Sequence, residues 1–166
     1  VCQFRFLVVK IKLEEYVPFI LKAVDEIERD FTSFGSPPVL WLLVIIIGGF
    51  SFFTVTVLVG LIVLELLCSL IKLVFPKDRP EKEKYKNRLE KIDAQSFPSV
   101  HTARSAYASF ALISFLQTPS SLLLAVLPIF VAVTRVRLQK HFWTDVVAGI
   151  IFGALFFFLW HKVVFY

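Results

Sequence analysis

Residues 38–75 read PVLWLLVIIIGGFSFFTVTVLVGLIVLELLCSLIKLVF, a run of 38 residues that is apolar almost throughout. As a single helix this run would be about 57 Å long, nearly twice the hydrocarbon core of a bilayer, which is about 30 Å thick. The chain must therefore turn back inside the run, and the pair Gly48–Gly49 is the strongest turn signal in it. The sequence predicts a short helix over 38–49 and a longer one over 52–75, both within a membrane.

Three further apolar segments follow, over 99–117, 120–138 and 144–165. The densely charged stretch 76–97 separates them from the first pair and is predicted to be an aqueous loop, because lipid offers no partners to charges and irregular backbone. Pro128 predicts a kink in the fourth helix. The predicted fold is all-α, an integral membrane helical bundle with about five transmembrane helices and an amphipathic helix before them.

That amphipathic helix is predicted from residues 13–33, where apolar and charged positions alternate at helical spacing. It either lies in the membrane interface or packs as an ordinary amphipathic helix, and the pattern favours neither. We therefore expect two parts, an N-terminal interfacial segment over 1–37 and a transmembrane domain over 38–166.

The composition agrees with a membrane protein. Hydrophobic residues make up 57% of the 166 residues and the mean hydropathy is +0.76, which makes a soluble domain a poor interpretation. The net charge is +5, and the basic residues are interleaved with acidic residues and with lipid-like sequence. Nucleic acid is therefore not an expected partner. Cys2 and Cys68 lie 66 positions apart, a spacing typical of neither a disulfide framework nor a metal site.

Small residues favour close contact between the third and fifth helices. The third is rich in alanine and serine, and the fifth contains Gly149 and Gly153 one helical turn apart. Such residues let membrane helices approach closely. The glycine pair alone is equally well explained by chance in a membrane segment.

The polar clusters of the bundle are all predicted to lie on one membrane face. The opposite turns, around Gly48 and Thr118, carry no charge, whereas the loop over 77–91 contains seven Lys or Arg residues. The positive-inside rule makes the charged face cytoplasmic, unless some of these cations serve a substrate. The sequence says nothing about the oligomeric state.

Three segments meet at the charged face: KLVFPKDRP over 72–80, PSVH over 98–101 and TRVRLQKHFWTD over 134–145. Taken singly, each basic residue is better explained as an interface anchor, and each histidine as an interfacial residue bonded to backbone carbonyls. Together they supply cations to neutralise a phosphoryl group, helix N–H groups to bind its oxygens, and two histidines to attack and to protonate. His141 and Asp145 are four residues apart, so on a helix they would share a face and Asp145 would fix the tautomer of His141.

This pattern resembles the type 2 phosphatidic acid phosphatase (PAP2) superfamily, whose signature is Lys-x6-Arg-Pro, Pro-Ser-Gly-His and Ser-Arg-x5-His-x3-Asp. The sequence has each motif in order, through Lys72 and Arg79–Pro80, then Pro98–His101, then Thr134–Arg135, His141 and Asp145. The resemblance covers about residues 38–160. Vanadium haloperoxidases share this site in soluble proteins, whereas the composition here favours the membrane phosphatases.

The resemblance implies a role for each matching residue. His141 would become phosphohistidine, His101 would be the general acid and Asp145 would orient His141. The phosphate would be bound by Lys72, Arg79, Ser99, Val100 and Arg135. No metal or other cofactor is implied.

Two positions depart from the family signature. Thr134 replaces a serine and keeps its hydroxyl. Val100 replaces the glycine of Pro-Ser-Gly-His, and glycine permits positive φ or close backbone approach to a phosphate. If Val100 has helical φ the site is expected to work; otherwise the chain would be a catalytically silent homologue that acts as a membrane scaffold.

Within the superfamily, the stretch SFPSVHTARSA over 96–106 and the intramembrane Glu65 most resemble the polyisoprenoid and presqualene diphosphate phosphatases. The predicted function is therefore hydrolysis of a lipid phosphate monoester or diphosphate, with an isoprenoid diphosphate favoured. Phosphatidic acid and phosphatidylglycerophosphate phosphatases are the alternatives. The expected partners are this lipid and the membrane. Glu65 and Lys72 lie two turns apart on one helix face, which predicts an ion pair or a network.

Overall fold

A computed structural model describes residues 35–81 and 94–165, and all regular secondary structure in these ranges is helical. The all-α prediction is confirmed for this part of the chain, whereas the amphipathic helix predicted over 13–33 lies outside the described residues. The elements are α1 (Pro37–Gly48), α2 (Phe52–Val74), α3 (Val100–Leu116), a 3₁₀ helix (Pro119–Val126), α4 (Leu127–Arg137) and α5 (Trp143–Phe165).

The turn between α1 and α2 lies at the predicted glycine pair. Gly49 has φ of 59° and ψ of −156°, a conformation that side-chain-bearing residues rarely adopt. Ser51 then caps α2: its hydroxyl donates to the Gly48 carbonyl at 2.7 Å and accepts the Thr54 amide hydrogen at 3.2 Å. These bonds satisfy groups that a helix end otherwise leaves unpaired.

Three described segments are long and apolar enough to cross a membrane: α2, the continuous stretch Pro119–Arg137, and Trp143–Val164 within α5. α1 is apolar but has only 12 residues, and α3 has 17, where a span needs about 20. The described part of the chain is thus a membrane bundle with three clear spans, and the number of five remains a prediction.

The fourth helix differs from the single kinked α-helix that the sequence predicted. Pro119–Val126 is a 3₁₀ helix, and α4 begins at Leu127, so that Pro128 lies in its first turn. Amide groups in a first turn have no acceptor within the helix, so a proline there loses no hydrogen bond. Pro128 therefore lies at the start of an α-helix and does not bend one.

Helix α3 lies at the centre of the bundle, and eleven of its 17 residues are buried. α5 passes so close to it that a Cβ at Gly149 would collide with the Thr102 hydroxyl and the Ser99 carbonyl, and one at Gly153 with the Ala103 carbonyl. The predicted close contact of the third and fifth helices is confirmed. It places the first turn of α5 against the first turn of α3.

Candidate active site

The three motifs come together at one end of the bundle, where α2 and α4 end and α3 and α5 begin. Backbone hydrogen bonds join the segments there. The Ser99 amide donates to the Asp145 carbonyl at 3.0 Å, and the Ser96 amide donates to the Lys77 carbonyl at 2.6 Å. The structure thus brings together Lys77 and Asp145, which lie 68 positions apart in the chain.

His141 lies in the loop between α4 and α5 and is only 2% exposed. Its Nδ1 lies 2.7 Å from the backbone carbonyl of Ser96. Because a carbonyl oxygen can only accept, Nδ1 must carry the hydrogen in this bond. In the neutral ring Nε2 is then the nitrogen with the lone pair.

The ring is neutral because its protonated form is disfavoured in this place. Burial lowers the pKa of His141 to about 3, and the positive charge of Arg135 acts in the same direction. The charges of Arg79 and Lys72 lower it further, while the hydrogen bond to Ser96 opposes the shift. His141 is therefore an uncharged nucleophile candidate at neutral pH, and the three predicted phosphate-binding cations all lie close enough to act on it.

Two of these cations are buried and the third is partly buried. Lys72, in the last turn of α2, is 4% exposed, and Arg135, in the last turn of α4, is 9% exposed. Arg79 lies in the loop after α2 and is partly exposed. Positive charge collected beside a neutral imidazole suits a site for a phosphate group, since the cations stabilise negative charge where water is scarce.

Ser99 immediately precedes α3 and is fully buried. Its hydroxyl makes no hydrogen bond to any described residue, and it does not cap its own helix. Buried hydroxyls nearly always have a partner, and the amide hydrogens of a first helical turn lack acceptors within the helix. The start of α3 therefore has unused donors, as an anion site requires.

Asp145 does not contact His141 in the way the sequence predicted. Its carboxylate accepts hydrogen bonds from the Ser96 hydroxyl at 2.5 Å and the Phe142 amide at 2.9 Å. The prediction of a shared helix face was wrong because α5 begins at Trp143, which leaves His141 in the preceding loop. Within the described part of the chain, Asp145 is linked to His141 through Ser96 and through the backbone at Phe142.

His101 is the second residue of α3 and is partly exposed. It lies within electrostatic reach of His141 and Arg135. The structure therefore places both predicted catalytic histidines in one site, at the start of α3 and just before α5. Its role as the general acid stays a prediction.

Val100 is the first residue of α3, is 7% exposed, and its side chain belongs to the apolar core that includes Leu64 and Cys68. It does not have a positive φ, so the backbone here needs no glycine. The conformation matches the condition under which the predicted site works with valine at this position.

Sequence reasoning missed several residues that the site depends on. Ser96 and Lys77 both bind the Asp145 carboxylate, yet neither stands in a motif. Glu65 pairs with Arg104 of α3 at 3.2 Å, a partner that the sequence did not predict. The charge of Arg104 in a helix of small residues was the available signal, whereas Ser96 gave none. No group of three His, Cys, Asp or Glu side chains suited to a metal ion occurs within 35–81 or 94–165.

Comparisons with known proteins cover most of the chain. The sequence is 29% identical over 156 residues to phosphatidylglycerophosphatase B of Bacillus subtilis (strain 168), covering 82% of this chain and 73% of that protein. The crystal structure of a transmembrane PAP2-type phosphatidylglycerolphosphate phosphatase from Bacillus subtilis has the same fold. Its TM-score is 0.67 at 24% identity, covering 84% of this chain and 76% of the other.

A sequence model of the PAP2 superfamily matches residues 53–166. The matched region holds all three motifs and all the helices that meet at the site. The predicted family is thereby confirmed: this chain belongs to the PAP2 superfamily and is a membrane phosphatase.

Proposed function

We propose that this protein hydrolyses the phosphate monoester of a membrane phospholipid, with phosphatidylglycerophosphate as the first substrate to test. The likeness to phosphatidylglycerophosphatase B extends over 82% of the chain. The isoprenoid diphosphate favoured by the sequence analysis was based on one stretch of eleven residues and on Glu65. The comparison therefore supports the alternative substrate better than the one first favoured.

The observation that carries the proposal is the hydrogen bond from His141 Nδ1 to the Ser96 carbonyl. It fixes the tautomer, and the pKa of about 3 keeps the ring neutral, so Nε2 has a free electron pair at any physiological pH. A histidine in this state is ready to act as a nucleophile without prior loss of a proton.

In the proposed reaction Nε2 of His141 attacks the phosphorus atom, and the bond from phosphorus to the lipid oxygen breaks. The negative charge of the bound phosphate offsets the burial and the positive charges that otherwise keep His101 neutral. His101 thereby takes up a proton and donates it to that oxygen, which leaves as the lipid alcohol. Water then attacks the phosphohistidine, His101 takes up the proton of the water, and inorganic phosphate is released. Lys72, Arg79 and Arg135 stabilise the negative charge of the phosphoryl oxygens in both steps.

An apolar groove of about 450 Å³ between α2 and α5 supports a lipid substrate. On α2 its walls include Leu64, Cys68 and Ile71, just before Lys72, and on α5 they include Phe152 and Phe156. α2 runs toward the site and α5 runs away from it, so the groove extends along both helices from beside Lys72 away from the site. One hydrocarbon chain of the substrate fits this position.

Phosphate release in detergent micelles with EDTA tests the proposal, using phosphatidylglycerophosphate, phosphatidic acid and farnesyl diphosphate in parallel. We expect the highest kcat/KM for phosphatidylglycerophosphate and a loss of at least about a thousandfold in His141→Ala. His161→Ala is the matched control, because His161 lies near the other end of α5. Full activity in His141→Ala would refute the mechanism, and a preference for farnesyl diphosphate would refute the substrate.

A further inference from the structure

Lys77, Ser96 and Asp145 form a closed set of hydrogen bonds behind His141, which we call the carboxylate clamp. The Lys77 ammonium donates to Asp145 Oδ1 at 2.5 Å, and the Ser96 hydroxyl donates to Asp145 Oδ2 at 2.5 Å. The hydrogen bond from the Ser96 amide to the Lys77 carbonyl closes this cycle of hydrogen bonds. His141 is attached to it at one point, the Ser96 carbonyl.

The charge of Lys77 is what makes the clamp stable. Asp145 is fully buried, and a carboxylate without a counter-charge is strongly disfavoured in such a place. Lys77 is 38% exposed, so its ammonium keeps contact with water while it neutralises the carboxylate. It is held there by the Thr144 hydroxyl at 2.9 Å and lies 4.6 Å from the centre of the Phe142 ring.

The clamp fixes the imidazole from two directions. Two hydrogen bonds set the orientation of the Ser96 peptide, one from its amide to the Lys77 carbonyl and one from its hydroxyl to Asp145. They thereby also orient the Ser96 carbonyl, which binds Nδ1. Asp145 also accepts the amide hydrogen of Phe142, the residue directly after His141. Both the acceptor of the ring and the backbone that carries the ring are therefore tied to one carboxylate.

We propose that Lys77 and Ser96 are positioning residues, which hold His141 in its Nδ1–H tautomer by orienting the Ser96 carbonyl against the Asp145 carboxylate. This proposal rests on the proposed function, in which Nε2 of His141 is the nucleophile. Lys77 lies among the residues that separate Lys72 from Arg79, and Ser96 lies two residues before Pro98. Neither Lys77 nor Ser96 is at a position that the family motifs specify.

Three variants test the clamp, namely Ser96→Ala, Lys77→Met and the conservative Lys77→Arg. Ser96→Ala removes the hydroxyl and keeps the carbonyl, and Lys77→Met keeps the length of the side chain without its charge. The matched control is Lys140→Met, because Lys140 makes a solvent-exposed ion pair to Glu81 at 3.0 Å outside the clamp. Each is assayed for kcat and KM with the best substrate of the panel, and by nitrogen-15 NMR of labelled histidine in micelles.

We expect kcat to fall by about tenfold to a hundredfold in Ser96→Ala and Lys77→Met, because a small displacement of a nucleophile has effects of this size. KM should change little, since neither residue binds phosphate. Lys77→Arg should recover most of kcat. The His141 signal, assigned with His141→Asn, should show Nδ1–H in the wild type and Lys140→Met, and a mixture of tautomers in Ser96→Ala.

An unchanged kcat together with an unchanged Nδ1–H signal in Ser96→Ala would overturn the clamp. If Lys77→Met fails to fold, Ser96→Ala tests the same claim alone. The failure of the proposed function looks different, because His141→Ala would then remain active. The NMR measurement needs no substrate, so an error in the substrate class leaves the test of the tautomer intact.

Discussion

The Ser99 amide donates to the Asp145 carbonyl at 3.0 Å, and this bond joins the start of α3 to the first turn of α5. It connects the second motif to the third through main chain alone. The approach is possible because α5 has Gly149 one turn later, directly over the Ser99 carbonyl. The geometry of the phosphate site is therefore coupled to the packing of two membrane helices.

Gly149→Ala should weaken both stability and activity. The added Cβ would collide with the Ser99 carbonyl and the Thr102 hydroxyl, so α5 must move away from the start of α3. We expect kcat/KM to fall by about tenfold or more together with a lower Tm in micelles. The matched control is Val147→Ile, which adds a carbon on an exposed face of the same helix. Wild-type values for Gly149→Ala would contradict the close approach.

Arg135→Gln should raise the pKa of His141. Removal of the nearby positive charge stabilises the protonated ring, so the pKa moves from about 3 toward its ordinary value of 6.5. Titration by nitrogen-15 NMR should show a neutral His141 from pH 8 down to pH 5 in the wild type, and the start of protonation at higher pH in the variant. Arg137→Gln, on the exposed end of the same helix, is the control and should resemble the wild type. A wild-type titration near pH 6.5 would show that the ring is not held neutral.

Val100→Gly should lower stability and leave the wild type as the better enzyme. The valine side chain is buried in the core, and its loss together with a glycine at the helix start should cost about 2–4 kcal/mol. The Tm in micelles and kcat/KM are measured beside Val100→Ala, which separates the lost side chain from the flexible backbone. An inert wild type that becomes active as Val100→Gly would instead support the silent scaffold.

A bulky residue in the groove between α2 and α5 should discriminate between substrates by chain length. Leu70→Trp partly fills the groove, and Leu70 is 57% exposed, so the change is tolerable for folding. We expect KM to rise for a long-chain phosphatidylglycerophosphate and to stay constant for a short-chain analogue. Leu66→Trp is the control, because Leu66 is similarly exposed on α2 outside the groove. Equal effects of both variants on the two substrates would rule out the groove as the chain site.

The sequence predicted the helices of the described region closely, since an apolar run and a glycine turn depend on local properties alone. It also named both histidines and the three cations that meet at the site, because they occupy the motif positions of the resemblance, but it missed Lys77 and Ser96. It failed where the answer depends on three-dimensional contacts. The partner of His141 is the main-chain carbonyl of Ser96, and a backbone group leaves no trace in a sequence. The spacing of His141 and Asp145 led to the wrong prediction of a shared helix face, because α5 starts between them.

The most direct test of the account is a search for a phosphoryl group on His141 during turnover. Wild-type protein and His141→Asn are mixed with phosphatidylglycerophosphate labelled in its terminal phosphate, quenched in alkali within the first turnover, and digested for peptide analysis. We predict label on the peptide that contains His141, labile in acid, and neither label nor turnover in His141→Asn. Turnover by the wild type without label on this peptide, or turnover by His141→Asn, would contradict the account.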